Sequence, residues 1–408
     1  MSSFLQLALL LSLILLLAKL AGYLSTLLRQ PSVLGELIVG LLIGPSLLNV
    51  LHLPIFSDHL LGEVIHLLAE LGVLLLMFVA GLELHLSELA RNTRVSSYAG
   101  ILGVIIPCAL GWGVGRLFGF DSTAALFLGL TLSATSVSIS AQTLIEMNRL
   151  RSRVGLGLLG AAVFDDVLVI LLLSTFLAIE AGAGGITQIL WIFVRMVLFL
   201  ALSVLFGIYA LPRLVRLVTR LPISQGVLTL ALVVLLLYGF AAEFVGGMAA
   251  ITGSFLAGLM FARSPEKERL ERGISAVAYG FFVPIFFVNI GLAVNVRTLG
   301  IDVVWLLITI IGVAILGKLL GAGVGALLAG FSRLESFQLG AGMISRGEVG
   351  LILASVGMAE GLVSDTEFSA IVGMVLITTL VTPPFLRYLF SVEQAKKAAR
   401  PVIQEEEG

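Results

Sequence analysis

The sequence predicts an all-α integral membrane protein of thirteen transmembrane helices, arranged as two inverted six-helix repeats with discontinuous helices crossing at mid-membrane. Three observations predict it. The 408-residue chain is 59% hydrophobic and only 12% charged, with a mean hydropathy of +1.13, against roughly 25% charge in soluble domains. Apolar runs long enough to cross a hydrocarbon core of about 30 Å recur along its whole length. The basic residues fall almost wholly on one side of those runs. Run length favours helices, because membrane barrel strands are about ten residues of alternating character.

In chain order the spans read 4–27, 32–47, 63–86, 95–117, 122–146, 152–179, 187–217, 225–243, 247–263, 271–292, 300–330, 335–360 and 367–390. The first begins without a basic leader and shows no small-residue cleavage site, so it reads as a retained span rather than a signal peptide. The second and ninth are short. In the sixth, Gly155, Gly157, Gly160, Ala161 and Ala162 favour close packing. The segment 391–408 reads as a short tail with no regulatory module.

Orientation follows the basic residues. Eighteen of the 24 lie after odd-numbered spans or in the tail: Arg29, Arg91, Arg94, Arg149, Arg151, Arg153, Arg213, Arg216, Arg220, Arg263, Lys267, Arg269, Arg272, Arg333, Arg387, Lys396, Lys397 and Arg400. Only Arg116 and Arg297 lie on the other side, while Lys19, Arg195, Lys318 and Arg346 lie inside spans. The N-terminus is therefore expected outside and the C-terminus in the cytoplasm. A net charge of −1 gives no reason to expect a nucleic-acid partner, and a single cysteine, Cys108, excludes an intramolecular disulfide.

The repeat is read from echoes at an offset of about 210 residues. Leu110-Gly111-Trp112-Gly113-Val114-Gly115 matches Leu320-Gly321-Ala322-Gly323-Val324-Gly325. Gly81-Leu82 after Phe78 matches Gly291-Leu292 after Phe287, and Gly35 with Gly40-Leu41 matches Gly253 with Gly258-Leu259. Spans 1–6 then pair with spans 8–13 in opposite orientation, around span 7. Inverted repeats place a substrate site near the midplane, at discontinuous helices.

Polar residues gather at that depth. Asp165 and Asp166 stand side by side in span 6, roughly 20 Å from its cytoplasmic end at about 1.5 Å per residue. Span 5 carries Ser133-Ala134-Thr135-Ser136-Val137-Ser138 at its centre, span 11 carries Lys318, and span 12 carries Ser345-Arg346-Gly347-Glu348. A carboxylate at the bilayer centre costs at least about 2.5–3.5 kcal/mol, so two require a positive visitor. Interrupted helices expose carbonyls only towards a cavity. Carboxylate, hydroxyl and carbonyl oxygens suit a desolvated alkali ion, which nominates Asp166, Asp165, Thr135 and Ser136. Neighbouring residues on a helix diverge by about 100°, so one aspartate can hold the ion while the other meets Lys318. If a cation draws Asp165 away, Lys318 loses its partner and releases a proton. Arg346 and Glu348 are expected to neutralise broken helix ends. Glu83 reads as interfacial or packing, Glu36, Glu70 and Glu243 as lining water or tying helices, and Lys19 as snorkelling to a surface. His52, His59, His66 and His85 are spread unlike a metal site.

These segments resemble the monovalent cation:proton antiporter superfamily, and within it the bacterial Na+/H+ antiporters of the NapA and Kef-like branch. The matching residues are Pro31-Ser32-Val33-Leu34-Gly35-Glu36 with Gly44-Pro45, Phe78 to Glu83, Ala134-Thr135-Ser136-Val137, Phe164-Asp165-Asp166-Val167, Leu316-Gly317-Lys318 and Arg346-Gly347-Glu348-Val349-Gly350-Leu351. The resemblance runs from about Leu5 to Phe390. It implies an antiporter fold of the NhaA and NapA kind, a homodimer, and elevator-like alternating access. The dimerisation part would be about 1–94 and 225–299, the linker helix about 187–217, and the moving core about 95–179 and 300–390. Asp166 would be the main cation ligand, Asp165 the proton carrier paired with Lys318, and Thr135 with nearby carbonyls the rest of the site. No cofactor is implied. The cell (inner) membrane is the expected location. Potassium-efflux members usually carry Gln at the position of Asp165, together with a nucleotide-binding domain. The Asp-Asp pair therefore points to electrogenic exchange of Na+, with Li+ or K+ as other ions such a site can take. A K+/H+ antiporter or K+ efflux transporter is the alternative on the same scaffold.

Two other classes fit worse. An intramembrane aspartyl protease needs two carboxyls sharing a proton across a small gap, which adjacent residues of one helix do not provide. A channel of the potassium type needs a carbonyl filter motif, which this sequence lacks.

Overall fold

The computed structural model describes residues 1–84, 92–180, 186–293, 304–359 and 361–398. His85 and Arg297 lie outside these. Helices form where the apolar runs predict them. Among the described residues, ten helical stretches, some of them made of two consecutive segments, are long and apolar enough to cross a membrane. They begin with α1 (Ser3–Leu27), followed by the shorter apolar α2 (Ser32–Ile43), then α3 (Leu61–Leu82) and α4 (Thr93–Leu117).

The fifth span is two half-helices, α5 (Ser122–Ser133) and α6 (Val137–Glu146), separated at Ala134, Thr135 and Ser136. Next come α7 (Arg153–Glu180), then α8 (Ile186–Tyr209) running into α9 (Leu211–Thr219). α10 (Gly226–Ala241) ends in a wide π turn, and the shorter α11 (Ala250–Phe261) follows. α12 (Lys267–Val277) and α13 (Val283–Leu292) join through a second π turn. α14 (Val304–Leu328) precedes another pair of half-helices, α15 (Arg333–Gly342) and α16 (Glu348–Ala359), and α17 (Asp365–Ala398) closes the described chain.

Local chemistry explains the ends. Ser2 and Asp121 cap α1 and α5 with side-chain oxygens, and Ser332 and Glu335 form a reciprocal capping box on α15. The N-terminus of α2 follows Pro31 and has no cap of its own; Glu146, at the end of α6, supplies it. Its carboxylate accepts from the Ser32 N–H at 2.6 Å and the Ser32 hydroxyl at 2.5 Å, where the helix dipole favours negative charge. Arg195 of α8 does the converse, donating to the carbonyls of Phe244 and Val245 at the end of α10.

Glycine sets how closely the helices cross. A methyl on Gly81 would lie 2.1 Å from the Phe255 carbonyl oxygen, and one on Gly258 2.0 Å from that of Phe78, so α3 and α11 touch backbone to backbone. α2 and α13 meet the same way: a methyl on Gly40 would lie 2.1 Å from the Val288 oxygen and one on Gly291 2.3 Å from the Leu41 nitrogen. Without a hydrophobic drive between helices in lipid, such close approach is what holds them. Leucine and aromatic side chains cover the outward faces of α1, α8 and α10.

Gly258→Ala should therefore force α3 from α11 and cost roughly 1–3 kcal/mol, the usual penalty for overpacking. Gly113→Ala, where an added methyl meets open space, should cost nothing measurable. Thermal unfolding in detergent checks the contrast.

Candidate functional site

The two interruptions lie against each other. The Ser136 N–H donates to the Ser345 carbonyl at 2.9 Å, the Ser345 hydroxyl returns to the Ser136 carbonyl at 2.6 Å, and the Ser140 hydroxyl donates to the Gly342 carbonyl at 2.5 Å. The α5–α6 and α15–α16 pairs thus cross where both backbones are non-helical, and each satisfies part of the other's exposed polar backbone.

Arg346 fills the crossing. It is fully buried. Its guanidinium donates to Met343 and Ile344 at 2.9 and 2.8 Å, to Leu132 at 2.7 Å and to Ala314 at 3.3 Å. Leu132 belongs to the last turn of α5, and Met343 caps the C-terminus of α15. One planar cation therefore serves the negative ends of two half-helices. The Thr379 hydroxyl, from α17, donates to the Arg346 carbonyl. Glu348 begins α16; its side chain lies outside the described residues.

The aspartates divide. Asp165 is 1% exposed and Lys318 0%, and Lys318 Nζ donates to Asp165 Oδ1 at 2.7 Å. Two charges are tolerated at this depth because each is the other's partner. Asp165 Oδ2 and the Thr135 hydroxyl are both buried and have no hydrogen-bond partner among the described residues. Unsatisfied buried oxygens of this kind mark a place where water or an ion adds ligands.

Asp166 is only partly buried and points elsewhere. It lines a small cavity between α7, α3 and α11, with Val163, Met77 and Phe255 among the walls. Its Oδ2 accepts a hydrogen bond from the Thr252 hydroxyl at 2.8 Å. The cavity reaches the α5–α6 break through Val137; Thr135 and Ser136 do not line it. The Ser136 hydroxyl instead lies 3.0 Å from that of Ser138, because its backbone is committed to the crossing.

Other expectations resolve into contacts. Lys19 stays exposed at the surface and also reaches the buried Glu36 at 3.5 Å, tying α1 to α2. His66 lies 3.4 Å from Glu70 and 3.3 Å from Asn289. The Glu83 carbonyl accepts from Arg151. Sequence reasoning missed Thr252, Thr379 and Glu146. Ala250-Ile251-Thr252-Gly253 reads as any small-residue helix start, so no signal marks Thr252; Glu146 sits at a predicted span end like many interfacial acids.

Ionisable groups buried within an apolar helical protein make a candidate site for ions or protons, and comparison with known proteins narrows the class. The family described as "Sodium/hydrogen exchanger, transmembrane" matches residues 12–391. The chain is 40% identical over 390 residues to the Na(+)/H(+)-K(+) antiporter GerN of Bacillus cereus, covering 95% of this chain and 98% of that one. It is 34% identical over 379 residues to the Na(+)/H(+) antiporter of Enterococcus hirae, covering 93% and 96%. In three dimensions it is similar to the sodium proton antiporter MjNhaP1 of Methanocaldococcus jannaschii at pH 8, with a TM-score of 0.66 at 18% identity over 97% of this chain and 99% of that one. The chain belongs to the sodium/hydrogen exchanger family.

Arg346→Lys keeps the charge but not the planar fork. It should lower stability by roughly 2–4 kcal/mol, as buried carbonyls lose charged donors. Chemical or thermal unfolding in detergent reads this; an unchanged midpoint would remove Arg346 from its structural place.

Proposed function

We propose that this protein is a secondary active transporter, not an enzyme, that exchanges Na+ for protons across the cell (inner) membrane. The observation that carries the reading is the division of labour between neighbouring residues: Asp165 held by Lys318 in full burial, Asp166 open to a cavity. Asp166 takes the cation, with Thr135, Asp165 and carbonyls of the crossing completing its shell. Asp165 and Lys318 carry one proton, and Asp166 carries another when no cation is bound. When the cation draws Asp165 away, Lys318 is left charged and unpaired in a dry interior, which favours loss of its proton. More positive charge then moves as protons than one cation carries back, so exchange is electrogenic. K+ or Li+ are further ions for such oxygens, and the name of the Bacillus cereus relative, which includes K+, favours keeping K+ exchange as the second reading.

Thirteen crossings are supported by the ten long helices, the short apolar α2 and α11, and the α15–α16 pair. The inverted repeat is supported by its glycines. Gly40 and Gly291 hold the α2–α13 crossing, and their repeat equivalents Gly258 and Gly81 hold α11 on α3. In this reading residues of about 1–94 and 225–299 form a dimerisation part in a homodimer, and about 95–179 and 300–390 form a core that moves as an elevator. The basic residues put the N-terminus outside and the C-terminus in the cytoplasm.

In proteoliposomes carrying a pH gradient, added Na+ should dissipate the gradient and Asp166→Asn should abolish the effect; running Na+, Li+ and K+ in turn ranks the ions. Exchange that persists in Asp166→Asn would end the site assignment. Lys318→Gln should retain some exchange but lose its response to membrane voltage, and voltage dependence surviving there would move the second charge elsewhere.

A further inference from the structure

We infer that Thr252 is the residue that couples ion loading to movement: its hydroxyl ties the Asp166 carboxylate to α11 and is released by whichever ion loads the site. This rests on the reading of Asp166 as the cation ligand.

The geometry places the two residues on opposite walls of one cavity. Asp166 and Val163 come from α7, and Val137 from α6; Thr252 and Phe255 come from α11, and Met77 from α3. Thr252 Oγ1 to Asp166 Oδ2, at 2.8 Å, is a direct polar bond across that cavity. Thr252 lies in the first turn of α11, and its hydroxyl is given to a carboxylate on a different helix; the residue is 3% exposed, with little water to compete.

The α11 wall is rigid. A methyl on Gly253 would lie 2.2 Å from the Tyr238 oxygen and one on Gly258 2.0 Å from that of Phe78, so α11 is seated on α10 and α3 by backbone contact. The α7 wall is seated on α4, where a methyl on Gly100 would lie 2.5 Å from the Phe164 Cβ. The bond therefore joins two separately packed groups of helices.

Its strength depends on what the carboxylate holds. A hydroxyl hydrogen is drawn to an ionised oxygen and makes a charge-assisted bond. A cation on that oxygen repels the same hydrogen, and a proton on it removes the charge. The bond is thus strongest when Asp166 carries neither ion. That is the one state in which an exchanger must not cross, because an empty crossing lets each ion run down its own gradient alone. The hydroxyl also competes with the incoming cation for Oδ2, so its loss should tighten apparent binding.

The test is gradient decay in proteoliposomes, with and without Na+. In choline medium, wild-type protein should hold an imposed pH gradient, whereas Thr252→Val should let it decay about tenfold faster, the factor expected for losing one hydrogen bond to a charged group. Thr252→Ala should leak likewise, and Thr252→Ser should hold the gradient. With Na+ present, Thr252→Val should show a lower KM for Na+. A leak is a gain, so misfolded protein that carries no ions does not imitate it. Thr252→Val as tight as wild type with an unchanged KM, or Thr252→Ser leaking like Thr252→Val, would overturn the inference. If Asp166→Asn is inactive in the same assay, that failure would belong to Thr252 alone; if Asp166→Asn still exchanges Na+, the site reading falls and the coupling role with it.

Discussion

Lys318 and Asp165 meet at 2.7 Å in a place with no water to spare either of them. Each charge would be costly alone, and breaking such a pair typically costs about 3–5 kcal/mol. The pair pins α14 to α7, fixes the rotation of α7 about its axis and so decides where the next residue points. Since neighbours on a helix diverge by about 100°, burying Asp165 against Lys318 turns Asp166 towards the cavity. One ion pair thus sends two neighbouring carboxylates into different surroundings, one sealed against Lys318 and one facing the cavity.

That pair depends in turn on the crossing beside it. Two helices are interrupted at the same depth, and the interruptions satisfy one another through Ser136, Ser140 and Ser345. Arg346 binds the carbonyls that remain at the ends of α5 and α15. The polar centre is therefore built from backbone groups that a continuous helix would have used internally. Glycine contacts on α2, α3, α11 and α13 give the surrounding helices their rigidity. The result is a structured polar site with few charges, enclosed by tight apolar packing.

How much of this could be read from sequence varies with the range of the signal. Span positions were legible because a membrane demands long apolar runs, and α1, α4, α7 and α17 fall on theirs. The meeting of Lys318 with Asp165 was legible because an intramembrane amine has so few admissible partners. The place of Arg346 at broken helix ends was legible for the same reason. The rest depends on rotation and helix placement, which composition does not encode. Ser136 was a candidate ligand by chemistry, yet its hydroxyl faces Ser138 because the crossing fixes its backbone. Lys19 stays exposed, as a snorkelling side chain does, but its pairing with Glu36 on the next helix could not be read from composition. Thr252 gave no signal, because a threonine at the start of a small-residue helix becomes informative only when the opposite helix presents a carboxylate.

In the proposed mechanism cation and proton occupy one connected set of groups, so that taking up the first expels the second. Proton release on Na+ binding measures this directly. Na+ added to purified protein in weakly buffered detergent, with choline as the control for ionic strength, should acidify the medium in proportion to protein, with a saturation curve matching Na+ affinity. Saturable Na+ binding with no proton release would contradict the account.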